Sequence, residues 1–310
     1  MLMGLDIGGT KCAVTVGDAC GNVLEKVRFA TSPMVAETLE QLTGTAQELL
    51  RRHTVTACGI SCGGPLDEQQ GVVLSPPNLP GWNRVPLTER MQQALGIPCA
   101  LRNDANACAM AEFYFGAGRG CENLIFLTFG TGLGAGLILN GRLYSGTNGN
   151  AGEVGHIRLA PFGPAGYGKC GSFEGFCSGS GISALAREVR REALQRGEAV
   201  DWDCDARAVA EAARAGDANA RAVFALSGRK LGEGLALLID LFNPEKILIG
   251  SVFLRCEDLL RPEMERAIAA EALPAAAAVC RIETPGLGES IGDAAALAVA
   301  KELWERIQNQ

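Results

Sequence analysis

Two glycine-rich turns and one isolated carboxylate hold most of the chemistry legible in this sequence. The first turn is Asp6-Ile7-Gly8-Gly9-Thr10-Lys11, directly after the apolar run Leu2-Met3-Gly4-Leu5. The second is Gly130-Thr131-Gly132-Leu133-Gly134-Ala135-Gly136, after Leu124 to Phe129. Turns built from Gly and Thr let backbone N–H groups come close to an anion. One such turn is weak evidence. Two of them suggest a phosphate chain gripped from both sides, as in a nucleotide-binding cleft. Between them lies Asn103-Asp104-Ala105-Asn106, after the strand-like Pro98 to Leu101. A phosphate cradle and a separate carboxylate are the minimal set for moving a phosphoryl group onto a hydroxyl. On residue type alone, Asp104 reads equally well as the base of that reaction or as a helix N-cap, because Ala105 to Phe115 patterns as a helix.

The elements that must position these residues follow from periodicity. Met3 to Ile7, Cys12 to Asp18 and Val23 to Phe29 read as a meander of strands. Ala36 to Arg52 reads as a helix, with apolar residues at Leu39, Leu42, Ala46, Leu49 and Leu50. Ala57 to Cys62 is a short strand ending in Gly63-Gly64-Pro65. The prolines between Ser75 and Trp82 require a loop, and Leu87 to Leu95 is a helix stopped by Gly96. A loop-rich stretch from Gly141 to Gly181 follows the second turn. Helices are expected over Ile182–Arg196, Ala206–Ala215 and Ala218–Phe242, and strands over Glu245–Leu254 and Val279–Thr284. A last helix is expected from Ile291 to about Ile307. Each half begins with strands and a glycine turn and continues with helices. The expectation is two α/β domains facing a cleft, residues 1–115 and 116–290, with the C-terminal helix 291–310 returning to the first.

Composition narrows the classes. The chain has 310 residues, a net charge of −7 and no basic run, which disfavours a nucleic-acid surface. The arginines Arg187, Arg190, Arg191 and Arg196 sit among acidic residues and read as a solvated face. No apolar stretch approaches the roughly 20 residues that span a bilayer, and Met1-Leu2-Met3 runs straight into the first strand with no signal peptide. A cytoplasmic location is expected, with no membrane partner. The twelve cysteines then read as reduced thiols, most of them small core residues, with no Cys-x-x-Cys pair.

Five segments in order resemble the ROK family of repressors and sugar kinases, within the actin-like ATPase superfamily. They are Asp6 to Lys11, Pro77-Asn78-Leu79-Pro80-Gly81-Trp82, Asn103 to Asn106, Gly130 to Gly136, and Gly152-Glu153-Val154-Gly155-His156. The resemblance runs over essentially the whole chain. The resemblance implies an α/β, two-domain actin-like ATPase (ribonuclease H-like) fold with an interdomain cleft. It also implies transfer of the γ-phosphoryl group of ATP to the 6-hydroxyl of a hexose. Glucose is the best single expectation, with N-acetylmannosamine, fructose and allose as rivals. Some members are transcription factors with a DNA-binding module ahead of the first turn. Here only Met1 to Leu5 precede it, so the kinase branch is expected over a non-catalytic sugar sensor. A glycosidase built on Asp104, Glu153 and Glu174 would leave both phosphate turns without a role. The resemblance implies a homodimer.

The resemblance also assigns roles. Asp104 becomes the general base and Asn103 a sugar ligand. Gly64 and Asn78 belong to the sugar-pocket loops. Glu153 and His156, three residues apart, share a face if they lie on a helical turn, and with Glu174 they would bind sugar hydroxyls. His53, the other histidine, reads as a surface residue. Asp6, Gly8, Gly9, Thr10 and Lys11 would hold the nucleotide phosphates, though Lys11 alone also reads as an ordinary exposed lysine. Asp6 would lie near Mg²⁺, directly or through water. Thr131, Gly132 and Gly134 form the second clamp, and Gly250 and Ser251 line the adenosine segment. Three departures stand out. Arg102 replaces an acidic residue more usual before Asn103. Ser251, Val252 and Phe253 replace a glycine run. The cysteine run that holds a structural zinc in many members is reduced to Cys170, with Ser172 in place of the last cysteine. Zinc through His156 and Cys170, with Cys177 nearby, is therefore not expected, because structural zinc takes four good ligands.

Overall fold

The computed structural model describes residues 1–309. Its principal strands are β1 (Leu2–Ile7), β2 (Lys11–Gly17), β3 (Val23–Ala30), β4 (Ala57–Cys62), β5 (Cys99–Asn103), β6 (Leu124–Phe129), β7 (Leu133–Leu139), β8 (Arg142–Leu143), β9 (Lys246–Ile249) and β10 (Arg281–Glu283). Its principal helices are α1 (Val35–Arg52), α2 (Leu87–Leu95), α3 (Asp104–Phe115), α4 (Gly179–Gln195), α5 (Ala206–Ala215), α6 (Ala218–Phe242), α7 (Val252–Glu271) and α8 (Ile291–Gln308). They divide into two units. The first holds residues 1–121, 136–151 and 286–310, and the second residues 122–135 and 152–285.

In the first unit β1 is apolar on both faces, with Leu2, Met3, Leu5 and Ile7 all buried. Such a strand belongs in the middle of a sheet covered on both sides. The sheet order is β3-β2-β1-β4-β5. β1 is antiparallel to β2 and parallel to β4, and β4 is parallel to β5. One face receives α1, whose Leu39, Leu42, Ala46 and Leu49 recur at three- and four-residue spacing and join Leu5, Val14 and Ile60 in a core cluster. Each fully buried Leu, Val or Ile side chain here contributes roughly 1.5–3 kcal/mol.

The other face receives α8, whose Ala294 to Ala300 are all buried. The approach is close because strand and helix both lack bulk. A methyl group placed on Gly59 of β4 would stand 2.2 Å from the Ala296 carbonyl oxygen and 2.3 Å from the Ala300 nitrogen. The buried Glu112 of α3 ties down two further segments. Its carboxylate accepts the Ala117 N–H at 2.8 Å and the Gly286 and Leu287 N–H groups at 2.9 Å.

In the second unit β9 lies parallel to both β6 and β10. The helix α5 has the bounds the sequence pattern gives. Asp205 caps its N-terminus, accepting from the Arg207 and Ala208 N–H groups, and Gly216 ends it at φ 105°. The strand expected over Glu245–Leu254 stops at Ile249, and α7 starts at Val252. That helix was hidden because Pro262 and the non-helical Cys256 interrupt its pattern. The strand expected over Val279–Thr284 shortens to Arg281–Glu283. Seven of the twelve cysteines are buried. Among the described residues no helix is long and apolar enough to cross a membrane.

Candidate active site

The carboxyl ends of the parallel strands β1, β4 and β5 carry the candidate residues of the first unit. This is the edge at which open α/β sheets bind ligands. The register places Asp6 beside Ser61 and Cys62 beside Asn103. The first glycine turn is closed by Gly8 N–H to the Lys11 carbonyl at 3.1 Å, and Thr31 Oγ1 donates to the Gly8 carbonyl at 2.7 Å. Gly9 faces Asn78. A methyl group on Gly9 would stand 2.3 Å from the Asn78 carbonyl oxygen. One on Gly64 would stand 3.0 Å from Asn103 Nδ2. A methyl group on Gly63, the residue before Gly64, would stand 3.4 Å from Asn78 Nδ2, so Gly9, Asn78, Gly64 and Asn103 adjoin one another in turn. Thr10 and Lys11, next to Gly9, are exposed.

The N-cap of α3 is Asn103, whose Oδ1 accepts the Ala105 N–H at 2.9 Å. Asp104 is the first helical residue and exposed, and its Oδ1 reaches the same Ala105 N–H at 2.8 Å. Arg102 turns its guanidinium toward Glu302 at 2.8 Å and Glu68 at 3.8 Å. Its charge is taken up by carboxylates.

Asp6 is largely withdrawn from water, with acidic and basic groups both near it. Burial first, then Asp293 and Asp104, push its carboxyl from 3.8 up to about 6, against the pull of Lys26 and Lys11. Asp293, on the first turn of α8, is bonded to Lys26. Sequence reading missed Asp293, because an acid in the first turn of a helix is an ordinary feature. A site whose carboxylates repel one another fits a divalent cation. No group of three or more His, Cys, Asp or Glu among the described residues could hold a metal ion. Mg²⁺ here would therefore be held by Asp6 together with water and nucleotide phosphates, as this ion usually is.

The second unit carries the other candidates. The turn between β6 and β7 is closed by Gly130 N–H to the Gly132 carbonyl at 3.0 Å and by Gly134 N–H to Thr128 Oγ1 at 3.0 Å. The Thr131 carbonyl accepts Ser180 Oγ at 2.7 Å. Glu174 packs against this turn, its Oε2 accepting the Leu133 N–H at 2.9 Å and lying 2.6 Å from where a Gly132 side chain would start. One oxygen of this candidate sugar ligand is thus committed to the phosphate turn. Glu153 precedes a single 3₁₀ turn, Val154–His156, and both Glu153 and His156 are exposed. The His156 ring meets Tyr167 edge-on at 5.3 Å. Gly250 N–H donates to the Leu127 carbonyl at 3.0 Å. Ser251 holds a positive φ of 58° that favours glycine. Its Oγ lies 3.7 Å from where a Gly130 side chain would start, so the Gly250–Ser251 segment adjoins the second turn.

The loop that would carry a zinc is closed by hydrogen bonds. Ser172 is fully buried, and its Oγ accepts the Gly175 and Gly166 N–H groups at 3.1 and 3.2 Å. Cys170 is exposed, while the Cys177 thiol donates to the Ser227 carbonyl at 3.4 Å. Burial pushes that thiol well up, away from the thiolate zinc needs. These residues do not fit a structural zinc.

A family profile described as the ROK family matches residues 2–303. The chain belongs to the ROK family. It is 35% identical over 259 residues to a glucokinase of Streptomyces coelicolor, covering 81% of this chain and 81% of that protein. It is 30% identical over 286 residues to the DNA-binding transcriptional dual regulator NagC of Escherichia coli, covering 88% of this chain and 68% of that protein. Among solved structures, a ROK family glucokinase from Streptomyces griseus in complex with glucose and AMPPNP superposes with a TM-score of 0.75 at 32% identity. That match covers 97% of this chain and 99% of the other. The fold is that of the actin-like ATPases, and this ROK chain has both kinases and a regulator among its relatives.

Proposed function

We propose that this protein is an ATP-dependent hexose kinase acting on the sugar 6-hydroxyl, with glucose as its first substrate. The observation that carries the reading is the adjoining of Gly9, Asn78, Gly64 and Asn103 in turn, with Asp104 next in the chain. A phosphate turn there adjoins groups suited to sugar hydroxyls. Asp104 accepts the proton of the 6-hydroxyl as that oxygen bonds to the γ-phosphorus and the bond to the bridging oxygen of ADP breaks. Asn103 and Asn78 orient the sugar. Backbone N–H groups of Gly8 to Lys11, and of Thr131 to Gly134, receive phosphate oxygens. Glu153, His156 and the remaining oxygen of Glu174 take sugar hydroxyls. Mg²⁺, when bound, neutralises phosphate charge in the transition state.

The test is ADP release from Mg·ATP over a panel of glucose, N-acetylmannosamine, fructose and allose. Wild type should turn over with one sugar preferred. Asp104→Asn should lose about 10²–10⁴ in kcat with its melting temperature kept. The kinship with NagC favours one other reading, a sugar sensor without turnover. Sugar binding by calorimetry with no ADP release from any panel member would move the assignment there.

A further inference from the structure

We propose that Glu68 is the positioning residue of the Asn103–Asp104 turn, holding it from both sides through one carboxylate. This rests on the reading of Asp104 as the base. The Glu68 side chain is 5% exposed. Its Oε1 accepts the Asn103 backbone N–H at 2.8 Å and Asn106 Nδ2 at 3.0 Å. Its Oε2 accepts Ser145 Oγ at 3.4 Å and faces Arg102 at 3.8 Å. Asp104 therefore sits between two residues anchored to the same oxygen. The residue before it is gripped by its backbone. The residue two after it, itself 2% exposed, is gripped by its side chain.

Hydrogen bonds to an ionised acceptor are shorter and stronger than neutral ones. A buried carboxylate also needs a counter-charge, without which its removal from water is costly. Arg102 supplies it and is fixed in turn by Glu302 on α8 at 2.8 Å. Glu68, Arg102 and Glu302 thus brace the strand-to-helix junction that presents Asp104. Glu68 bonds to Asn103 and Asn106 on either side of Asp104, so its effect on turnover would come through geometry. A misplacement of about 1 Å in a reacting group costs on the order of 10²-fold in rate. A cavity of about 680 Å³, lined by Glu68, Arg102 and Ser145 among others, adjoins the brace. Removing the carboxylate would give water a path to the Asn103 N–H.

The experiment compares wild type, Glu68→Ala and Glu68→Gln by amide hydrogen exchange over residues 99–107 and by kinetics with sugar and ATP varied separately. The Ala variant should exchange the Asn103 amide about tenfold faster or more. Its kcat should fall about 10- to 100-fold and its KM for sugar should rise, with KM for ATP unchanged. The Gln variant keeps an oxygen for both N–H groups but puts an uncharged NH₂ where Oε2 faces Ser145 and Arg102, so about a 3- to 10-fold fall in kcat is expected. Wild-type kinetics in a folded Ala variant overturn the proposal, even if exchange rises. A uniform loss in sugar and ATP parameters also overturns it, since that is general destabilisation. If the Ala variant does not fold, wild-type kcat in the Gln variant overturns it. If wild type turns over no sugar, the kinase reading is what fails. Exchange at Asn103 then decides the positioning role alone, and unchanged exchange rejects it.

Discussion

The Asp6 carboxyl links protons, stability and cation binding. Its value is about 6 in the folded chain against an ordinary 3.8, so the folded protein holds this proton more tightly than the unfolded one. The stability it contributes is fully present below about 3.8 and is lost as pH rises through about 6. Asp6→Asn should therefore stabilise the ligand-free protein at pH 7.5 by up to about 3 kcal/mol and give no gain near pH 3.5, as read by denaturant unfolding. A cation should reverse the balance, because it binds the ionised form. Mg²⁺ should raise the melting temperature of wild type more at pH 7.5 than at pH 5, and should leave Asp6→Asn unmoved. An equal Mg²⁺ shift in the variant would remove Asp6 from the cation reading. Asp6, Asn103 and Asp104 were visible in the sequence because their type and neighbours are distinctive. Asp293, Glu68 and Glu112 were not. Their partners Lys26, Asn103 and Gly286 lie 267, 35 and 174 residues away, and local patterning holds no trace of such pairings.

At the scale of elements, the sheet of the first unit depends on the absence of side chains where α8 crosses it. Gly59→Ala places a methyl group 2.2 Å from the helix backbone, which a flexible side chain could avoid and a carbonyl cannot. The variant should lose about 1–3 kcal/mol or more, measured by urea unfolding; a loss under about 0.5 kcal/mol would mean that α8 can lift from β4 without penalty. The strands and helices with clean periodicity, such as β1 and α5, were legible because apolar spacing and caps agree. α7 was not, since a proline inside a helix normally reads as its end. A shared face for Glu153 and His156 was expected if their spacing of three fell on a helical turn, and a 3₁₀ turn follows Glu153. The grip of Glu174 on Leu133 was not, because it joins side chain to backbone across 41 residues.

At the scale of the whole molecule, the first unit is assembled from three separate stretches and the second from two. Deleting residues 286–310 would strip α8 from β1 and β4 and leave Glu112 without the Gly286 and Leu287 N–H groups. Limited proteolysis of that deletion should digest residues 1–121 rapidly while 152–285 persists as a resistant fragment. Equal resistance of both would show that the sheet holds without its helix.

The same arrangement imposes an order on biosynthesis. β1 and β4 are made before the bulk of the second unit, yet the helix that covers their glycine face is made after it. The intervening 152–285 stretch takes roughly 7 to 27 s to make at about 5–20 residues per second. Throughout that interval the nascent chain shows a bare sheet face that water does not favour, and the second unit is complete before that face is covered. The lag between these two completions makes the first unit the part of a newly made chain that chaperones have to guard.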